Sequence, residues 1–276
     1  MFEIIKTQHK NEISGLVRDI KNLTVYEIST ELDRIIKQVY ADIPPNKRIS
    51  YGRYSIIKKT GEIIYPLLDE KNVDIQALAY GIFEKQESDC FVRSLGLQLA
   101  SIFAVETGRL NQVLILFERA AIDKTWEVRE CAVGFVRKLI KKHPNFMHKW
   151  FLEKMKSESP LLRRFVCESL RPAAENRWFK NNPNYPFSIL KNLFTESAEY
   201  PRTSIGNGLS DWIRINEKVS LPIVRKLATN GNKNSYWIAY RACRNLVKKN
   251  PVLVMDILKT DSYKYKNRKY FRKDYQ

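Results

Sequence analysis

A two-residue step, an apolar residue followed by arginine, recurs along the chain at a nearly constant interval. It occurs at Val92-Arg93, Val128-Arg129 and Leu162-Arg163, so consecutive arginines are 36 and 34 residues apart. Pro201-Arg202 continues the series 39 residues further on, and Ala239-Tyr240 takes the corresponding place after 38 more. Each step opens an apolar-rich helical segment, and a second helical segment ending near a proline follows it. Paired helices in units of roughly 35–45 residues are typical of HEAT and armadillo repeats, which stack into a solenoid.

Helical periodicity also dominates the rest of the chain. Thr24 is a good N-cap and opens the segment TVYEISTELDRIIKQVYA. Further predicted helices are YSIIKKTGEIIYPLLDE, VDIQALAYGIFEK, CFVRSLGLQLASIFAVE, LNQVLILFERAAI and EVRECAVGFVRKLIKK. Proline-containing steps recur at the joints, and no strand hairpin is predicted. The predicted fold is therefore all-α: a right-handed solenoid of HEAT-like (armadillo-type) repeats with a concave basic face, in a single domain over residues 1–258.

The last 18 residues, KTDSYKYKNRKYFRKDYQ, break the repeat. They contain seven Lys and Arg against two Asp, with tyrosines interleaved. A basic, flexible tail over residues 259–276 is predicted. Such a tail could contact phosphates or stack on bases, and a simply disordered end fits the composition at least as well.

The charge balance favours a polyanionic partner. The chain has 48 basic and 30 acidic residues, a formal charge of +18. Nucleic acid is the favoured partner because neutralising phosphates releases condensed counterions. An anionic membrane surface, or the lysine-rich habit of an AT-rich proteome, are the alternatives. A protein-binding HEAT scaffold is less attractive at this charge.

The cysteines and the absence of a targeting segment predict a cytoplasmic protein. The four cysteines form no C-x-x-C pair and each falls within an apolar helical pattern, so buried free thiols are expected. No signal peptide is recognised, and no apolar run is long enough to span a bilayer. Three scattered histidines and no H-E-x-x-H motif predict no metal site, and no phosphate-binding glycine loop is present. No cofactor is expected.

Three carboxylates follow the repeat. Counted from the marker arginines, Glu130, Glu168 and Asp211 lie one, five and nine residues downstream. The offset grows by four, about one helical turn, so all three are expected on one face, opposite the apolar stripe. Singly, such acids are usually solvated surface ion pairs worth a few tenths of a kcal/mol. Together in a basic groove they would repel DNA phosphates, which invites a chemical explanation.

Two tryptophans, Trp126 and Trp178, are expected to be exposed near these acids. An exposed indole could favour a cationic base or sugar by cation–π contact. Packing under a loop is the alternative.

Four motifs carry a family resemblance. TWEVRECA, LLRRFVCESLRP, PRTSIGNGLSDW and YWIAYRACRNLVKKNP occur in this order. In order and spacing they resemble the bacterial DNA alkylation repair family, the HEAT-like-repeat DNA glycosylases, with the AlkC branch closer than AlkD. The resemblance covers residues 88–258 well and the N-terminal third only in helical character.

The resemblance implies a function and a set of site residues. Similar proteins bind duplex DNA and release N3- or N7-alkylated purines by hydrolysing the glycosidic bond, without cofactor. The implied partner is double-stranded DNA containing alkylated bases, bound by a monomer. The candidate catalytic residues are Asp211, Glu168 and, third, Glu130, and the candidate DNA- or lesion-binding residues are Trp126, Arg164, Arg171, Trp178, Asn207, Arg214, Trp237 and Arg241.

The chain departs from the family pattern in three places. The RPrxPW segment reads RPAAENRW, which places Trp178 two residues late. Pro201 replaces a branched residue, and Tyr240-Arg241 stands where Arg-His is commoner. The departures remove no candidate acid, yet they leave a second hypothesis open: a non-catalytic HEAT-repeat protein that binds distorted or branched DNA.

Overall fold

The computed structural model describes residues 2–85, 88–264 and, by its backbone, the strand 270–272. This part of the chain is almost entirely helical, in agreement with the predicted all-α fold. The helices are α1 (Thr7–Asp19), α2 (Val25–Asp42), α3 (Arg53–Glu70), α4 (Ile75–Glu84), α5 (Cys90–Thr107), α6 (Leu110–Ala121), α7 (Trp126–Lys142), α8 (Pro144–Lys154), α9 (Pro160–Ser169), α10 (Asn184–Leu190), α11 (Glu199–Ile215), α12 (Glu217–Thr229), α13 (Lys233–Ala242) and α14 (Pro251–Leu258).

The predicted helices α2 to α7 are confirmed, with boundaries close to those expected. Thr24 caps α2 as predicted. Its hydroxyl accepts a hydrogen bond from the Glu27 backbone N–H (3.2 Å), and the Glu27 carboxylate accepts from the Thr24 N–H (2.8 Å). This reciprocal capping box fixes the start of the helix because it satisfies two backbone donors that lack helical partners.

The chain divides into two compact units, residues 1–142 and 143–276. In the first unit, α5 packs between α3 and α7 and also against α4, and α6 packs on α7. The approach of α4 to α5 requires a glycine at position 96, because a Cβ there would lie 2.5 Å from the Ala79 carbonyl oxygen. Helix α5 is long and apolar enough to pass a test for membrane spanning, contrary to expectation, but it is mostly buried in the unit as a core helix.

In the second unit α9, α11 and α13 lie side by side. Helix α11 packs against both neighbours, while α12 packs behind α11 and α13, and α8 packs on α9. Trp212 of α11 and Phe165 of α9 are almost fully buried between these layers. The pairing of one helix row with a second row is the helix-pair repeat that the sequence predicts. The right hand of the solenoid and its concave basic face stay predictions.

The marker arginines join successive repeats. Arg93 of α5 donates from Nη2 to Asp123 Oδ2 (2.6 Å) and from Nε to the Phe83 carbonyl (3.0 Å). Asp123 stands three residues before α7 and also accepts from the Thr125 N–H (2.8 Å). A buried guanidinium therefore ties α5 to the start of the next repeat's first helix.

The same device recurs in the second unit. Arg163 of α9 donates from Nε to Glu196 Oε2 (2.7 Å), and Glu196 accepts from the Ala198 N–H, which precedes α11 (2.8 Å). Arg202 of α11 donates to Asn234 Oδ1, in the first turn of α13 (2.8 Å). The apolar-arginine step is thus a joint between repeats, which the sequence marked without revealing its partner.

The acids at these joints stay ionised more readily than ordinary carboxyls. Burial would raise the pKa of Asp123, but hydrogen bonds from Arg93 and Thr125 outweigh it, and its pKa lies below the ordinary value. The pKa of Glu196 is lowered in the same way, against burial, by Arg163 and the Ala198 N–H.

A short hairpin follows the last helix. Strand β1 (Ser262–Lys264) pairs antiparallel with β2 (Tyr270–Arg272). The buried ring of Tyr263 stacks on Tyr240 of α13 at 4.2 Å between centroids, and its hydroxyl donates to the Tyr240 carbonyl (2.8 Å). The sequence did not predict this hairpin. Part of the predicted flexible tail, residues 265–269 and 273–276, lies outside the described residues.

The cysteines are free, as predicted. Cys131, Cys167 and Cys243 are buried and Cys90 is half-buried. Burial raises the pKa of Cys131 and Cys243 to about 12, so these thiols are unreactive at neutral pH. The cytoplasmic localisation stays a prediction.

Replacing Asp123 with Asn should destabilise the first unit. The change leaves the Arg93 guanidinium, whose side chain is 2% exposed, without a counter-charge. We expect a loss of about 3 kcal/mol in unfolding free energy, measured by urea denaturation. Asp256→Asn is the control, because Asp256 pairs with Arg225 and Lys259 on an exposed surface and should leave the urea midpoint unchanged. Equal destabilisation by both variants would contradict the joint.

The Asp123 contribution should depend on pH. Because the folded-state pKa is depressed, the contribution is complete above the ordinary value of 3.8 and disappears as pH falls through the lower folded value. The difference in unfolding free energy between wild type and Asp123→Asn should therefore narrow between about pH 6 and about pH 3. A constant difference would show that the charge is not responsible.

Candidate functional site

The second unit gathers most of the candidate residues on three neighbouring helices. Helix α9 begins with the Ser159 N-cap and Pro160 at its first position, and α11 and α13 follow it side by side. The candidates on these elements are Arg164 and Glu168 on α9, Arg171 just beyond its end, Asn207, Asp211 and Arg214 on α11, and Trp237 and Arg241 on α13.

Arg171 bridges the two leading acids. Its Nη1 donates to Glu168 Oε2 (2.7 Å), three residues back on the same segment. Its Nε and Nη2 both donate to Asp211 Oδ2 on α11, at 3.0 and 2.5 Å. A single guanidinium therefore holds the carboxylates of two successive repeats together, and the three groups carry a net charge of −1.

The bridge is largely shielded from solvent. The side chains of Glu168, Asp211 and Arg171 are 7%, 17% and 26% exposed. Burial alone would lower the pKa of Arg171, but attraction by Glu168 and the hydrogen bonds to Asp211 and Glu168 raise its pKa above the ordinary value. The guanidinium is thus a permanent positive charge between the acids.

The two carboxylates are not equivalent. Both Arg171 donors converge on Oδ2 of Asp211, and within the described ranges no hydrogen bond to Oδ1 is found. Asp211 is also the more exposed of the two acids. Its second oxygen is therefore the carboxylate atom best placed to meet a ligand or a water molecule.

Local sequence explains how Arg171 reaches α11. Helix α9 ends at Ser169, and Pro172 prevents its continuation. The buried Asn176 amide donates to the carbonyls of Ser169 (2.8 Å) and Arg171 (3.2 Å), which fixes the chain where it leaves the helix. On α11, Gly208 makes room, since a Cβ there would lie 3.2 Å from Arg171 Cγ.

A second polar group lies between α11 and α13. Arg241 Nε donates to Asn207 Oδ1 at 3.0 Å, and the guanidinium carbons of Arg202 and Arg241 lie 4.6 and 6.0 Å from the Trp237 ring centroid. A Cβ at Gly206 would lie 2.5 Å from Arg241 Cγ. Trp237 is therefore flanked by two cations, an arrangement worth about 0.5–1 kcal/mol per contact at exposed sites.

Two expectations about exposure are wrong. Arg164 and Glu168 were expected on the solvated face of α9, yet they are only 8% and 6% exposed, because α11 packs beside this helix. The Arg164 guanidinium lies 4.6 Å from the Tyr200 ring centroid on α11. Read as a surface ion pair, Glu168 is misassigned: it belongs to a buried one.

Trp178 is also less exposed than predicted. It is half-buried on a short 3-10 turn (Arg177–Lys180), where its ring contacts Phe179 (4.7 Å) and Tyr185 (5.1 Å). The packing alternative therefore describes its surroundings, since the aromatic cluster continues to Trp212.

Trp126 and Glu130 lie in the first unit. Trp126 is the first residue of α7 and is 60% exposed, as expected for a contact residue, and Glu130 follows one turn later at a partly exposed position. Glu168 and Asp211 are brought together in the second unit. The predicted common face of all three acids stays a prediction.

Sequence reasoning missed three participants, Tyr200, Arg202 and Gly208. The available signal was the Gly206-x-Gly208 pair inside a predicted helix, because glycine in a helix interior costs about 1 kcal/mol and marks a close approach. In the described ranges, no group of three or more His, Cys, Asp and Glu side chains is arranged to hold a metal ion.

Two solved structures share the fold of this chain. AlkD2 from Streptococcus mutans has a TM-score of 0.61 at 21% identity, covering 80% of this chain and 98% of its own. The alkylpurine DNA glycosylase AlkC from Pseudomonas fluorescens, bound to DNA containing an abasic site analog, has a TM-score of 0.56 at 16% identity, covering 94% of this chain and 68% of its own. No protein-family model and no curated protein matches the sequence.

At these identities the likeness shows a common fold, which confirms the helical-repeat architecture expected from the motifs. The preference for the AlkC branch over AlkD stays a prediction.

Replacing Arg171 with Gln should destabilise the second unit. Glu168 and Asp211 would then face each other without the bridging charge, and we expect a loss of about 3 kcal/mol in unfolding free energy by urea denaturation. Adding Glu168→Gln should restore part of the loss, because it removes one of the two facing negative charges. An additive double variant would show that the two residues are not coupled.

Proposed function

We propose that the protein is a DNA repair enzyme that hydrolyses the N-glycosidic bond of N3- or N7-alkylated purines in duplex DNA. Asp211 is the leading catalytic residue, supported by Glu168. The observation that carries the proposal is the single-oxygen attachment of Asp211 to Arg171, which fixes the carboxylate and leaves Oδ1 without a hydrogen bond in the described ranges.

The reaction needs a fixed anion more than it needs an acid. An alkylated purine already carries a positive charge, so it leaves with the electron pair of the C1′–N bond and becomes neutral without protonation. Positive charge then develops on the sugar as an oxocarbenium ion, to which water adds at C1′ with loss of a proton. A held carboxylate stabilises this charge without reorganisation, and its second oxygen can accept the proton from water.

The surroundings suit both the cationic centre and the DNA. The Glu168–Arg171–Asp211 group has a net charge of −1, which attracts a cation, while the chain as a whole carries +18 and attracts phosphates. Trp237, flanked by Arg202 and Arg241, adds an aromatic face beside cationic groups. The fold shared with AlkC, a protein seen bound to DNA, supports the same partner here.

Trp126 and Glu130 form the second part of the proposal. An indole that is 60% exposed gives a flat apolar surface for a base, and Glu130, one turn along α7, would place a further carboxylate near it. We assign Glu130 the third catalytic rank because it lies in the first unit, whereas Arg171 joins Glu168 and Asp211 within the second.

One observation favours the alternative of a non-catalytic DNA-binding protein. Arg171 already supplies a counter-charge to both acids, and the Glu168 carboxylate is only 7% exposed. A site whose acids serve only to hold an arginine would bind distorted or branched DNA by shape and charge, without breaking a bond.

Replacing Asp211 with Asn separates the two hypotheses. The amide keeps the shape of the carboxylate and one oxygen that accepts from Arg171, while the negative charge is lost. Release of 3-methyl- or 7-methylpurine from N-methylated duplex DNA should fall about 100-fold or more, the usual scale for one preorganised electrostatic group. DNA binding, measured by fluorescence anisotropy, should be retained.

Asp256→Asn is the matched control, since it removes one acid from an exposed pair in the same unit and should release base at the wild-type rate. If wild type releases no base but binds duplex DNA in a salt-sensitive manner, the non-catalytic alternative holds. If it does neither, the scaffold hypothesis replaces both.

A further inference from the structure

A basic pocket lies beyond the acids, at the carboxyl end of α11. It has a volume of about 450 Å³ and lies between the last turns of α11, the first turn of α12 and the turn that follows α13. The residues that line it are Ser210, Ile213, Arg214, Glu217, Asn245, Leu246, Lys248 and Lys249. Of these only Arg214 was singled out by sequence analysis.

The local structure builds the pocket from two directions. Ser210, Ile213 and Arg214 share one face of α11 through their three- and four-residue spacing. Opposite them, the turn after α13 is closed by hydrogen bonds from the N–H groups of Lys249 and Asn250 to the Leu246 carbonyl, both at 2.9 Å. This turn places two consecutive lysines at the pocket.

One hydrogen bond ties the two walls together. The Asn245 amide donates to Ser210 Oγ at 3.2 Å, from the turn to the buried side of α11. Ile213 and Leu246 add an apolar lining between the polar groups. An apolar wall excludes water and strengthens the field of the charges around it.

The charges of the pocket select an anion. Arg214, Lys248 and Lys249 are exposed and positive, and one acid, Glu217, lies opposite them, so the lining carries +2. Arginine can donate two parallel hydrogen bonds to a phosphate, and lysine acts as a compact point charge. This combination fits a phosphate group better than a carboxylate side chain, which brings a single charge.

The pocket also lies at a useful distance from the acids. Arg214 follows Asp211 by three residues, so the two side chains are neighbours about one helical turn apart, and a turn rises about 5.4 Å. A DNA strand with its sugar against Asp211 would therefore bring a flanking phosphate to the pocket.

We propose that this pocket binds one phosphate of the DNA backbone next to the sugar held at Asp211. The proposal rests on the proposed function for the position of the sugar, and on the pocket itself for the phosphate. Lys248 and Lys249 become DNA-binding residues that no motif indicated, and Arg214 joins them by contact with the same group.

The test is the salt dependence of binding to unmodified duplex DNA, which requires no base release. The double variant Lys248→Gln/Lys249→Gln should weaken binding, and the slope of log K against log salt concentration should become shallower by about 0.9, the value expected when the protein neutralises one phosphate fewer. Circular dichroism should be unchanged, because both lysines are exposed.

The double variant Lys191→Gln/Lys226→Gln is the control. It removes the same two charges from a different, apolar groove in the same unit, lined by Phe187, Phe194 and Leu227. Its slope should stay at the wild-type value. Equal flattening in both double variants, or in neither, overturns the proposal, because binding would then follow total charge or avoid the pocket.

Inorganic phosphate distinguishes a site for free anions from one for the DNA backbone. Thermal stabilisation by phosphate over chloride at equal ionic strength, lost in Lys248→Gln/Lys249→Gln while the DNA slope is unchanged, would overturn the DNA assignment. If the slope flattens as expected but wild type releases no base, the pocket stands and the glycosylase proposal fails.

Discussion

A buried arginine that reaches from one repeat to the next is the interaction on which the rest of the structure depends. Arg93 and Arg163 each lie near the start of one helix and bind the acid that precedes the following repeat's first helix. Because that acid also accepts a backbone N–H at the same place, the arginine fixes both the start and the position of the next helix. The row α9, α11 and α13, and with it the candidate site, is set by these joints.

The same chemistry, used one turn later, gives the site its character. Arg171 holds Glu168 and Asp211 as Arg163 holds Glu196, but it is more exposed and leaves one Asp211 oxygen without a hydrogen bond in the described residues. A joint that satisfies every atom contributes stability. One that leaves a carboxylate oxygen accessible can stabilise a developing positive charge, and the basic pocket beyond Arg214 can hold the phosphate that accompanies it.

Periodicity was enough to predict the helices and their order, because a helix face needs only the local spacing of apolar residues, as in α2 with its Thr24 cap. The Glu168–Asp211 proximity followed from the four-residue drift of the acids. What could not be predicted depends on contacts between distant residues: the burial of Arg164 beneath α11, the packing of Trp178 on Tyr185, and the stacking of Tyr263 on Tyr240 that docks the terminal hairpin. None of these leaves a period in the sequence.

The arginine joints have a consequence for how such a chain can change in evolution. Each repeat carries a donor for the repeat after it and an acceptor for the repeat before it, as α11 does with Arg202 and the neighbouring Glu196. A duplicated repeat would therefore arrive with both halves of its own attachment. Growth or loss by whole repeats preserves every joint, whereas an insertion inside a repeat separates a donor from its acceptor.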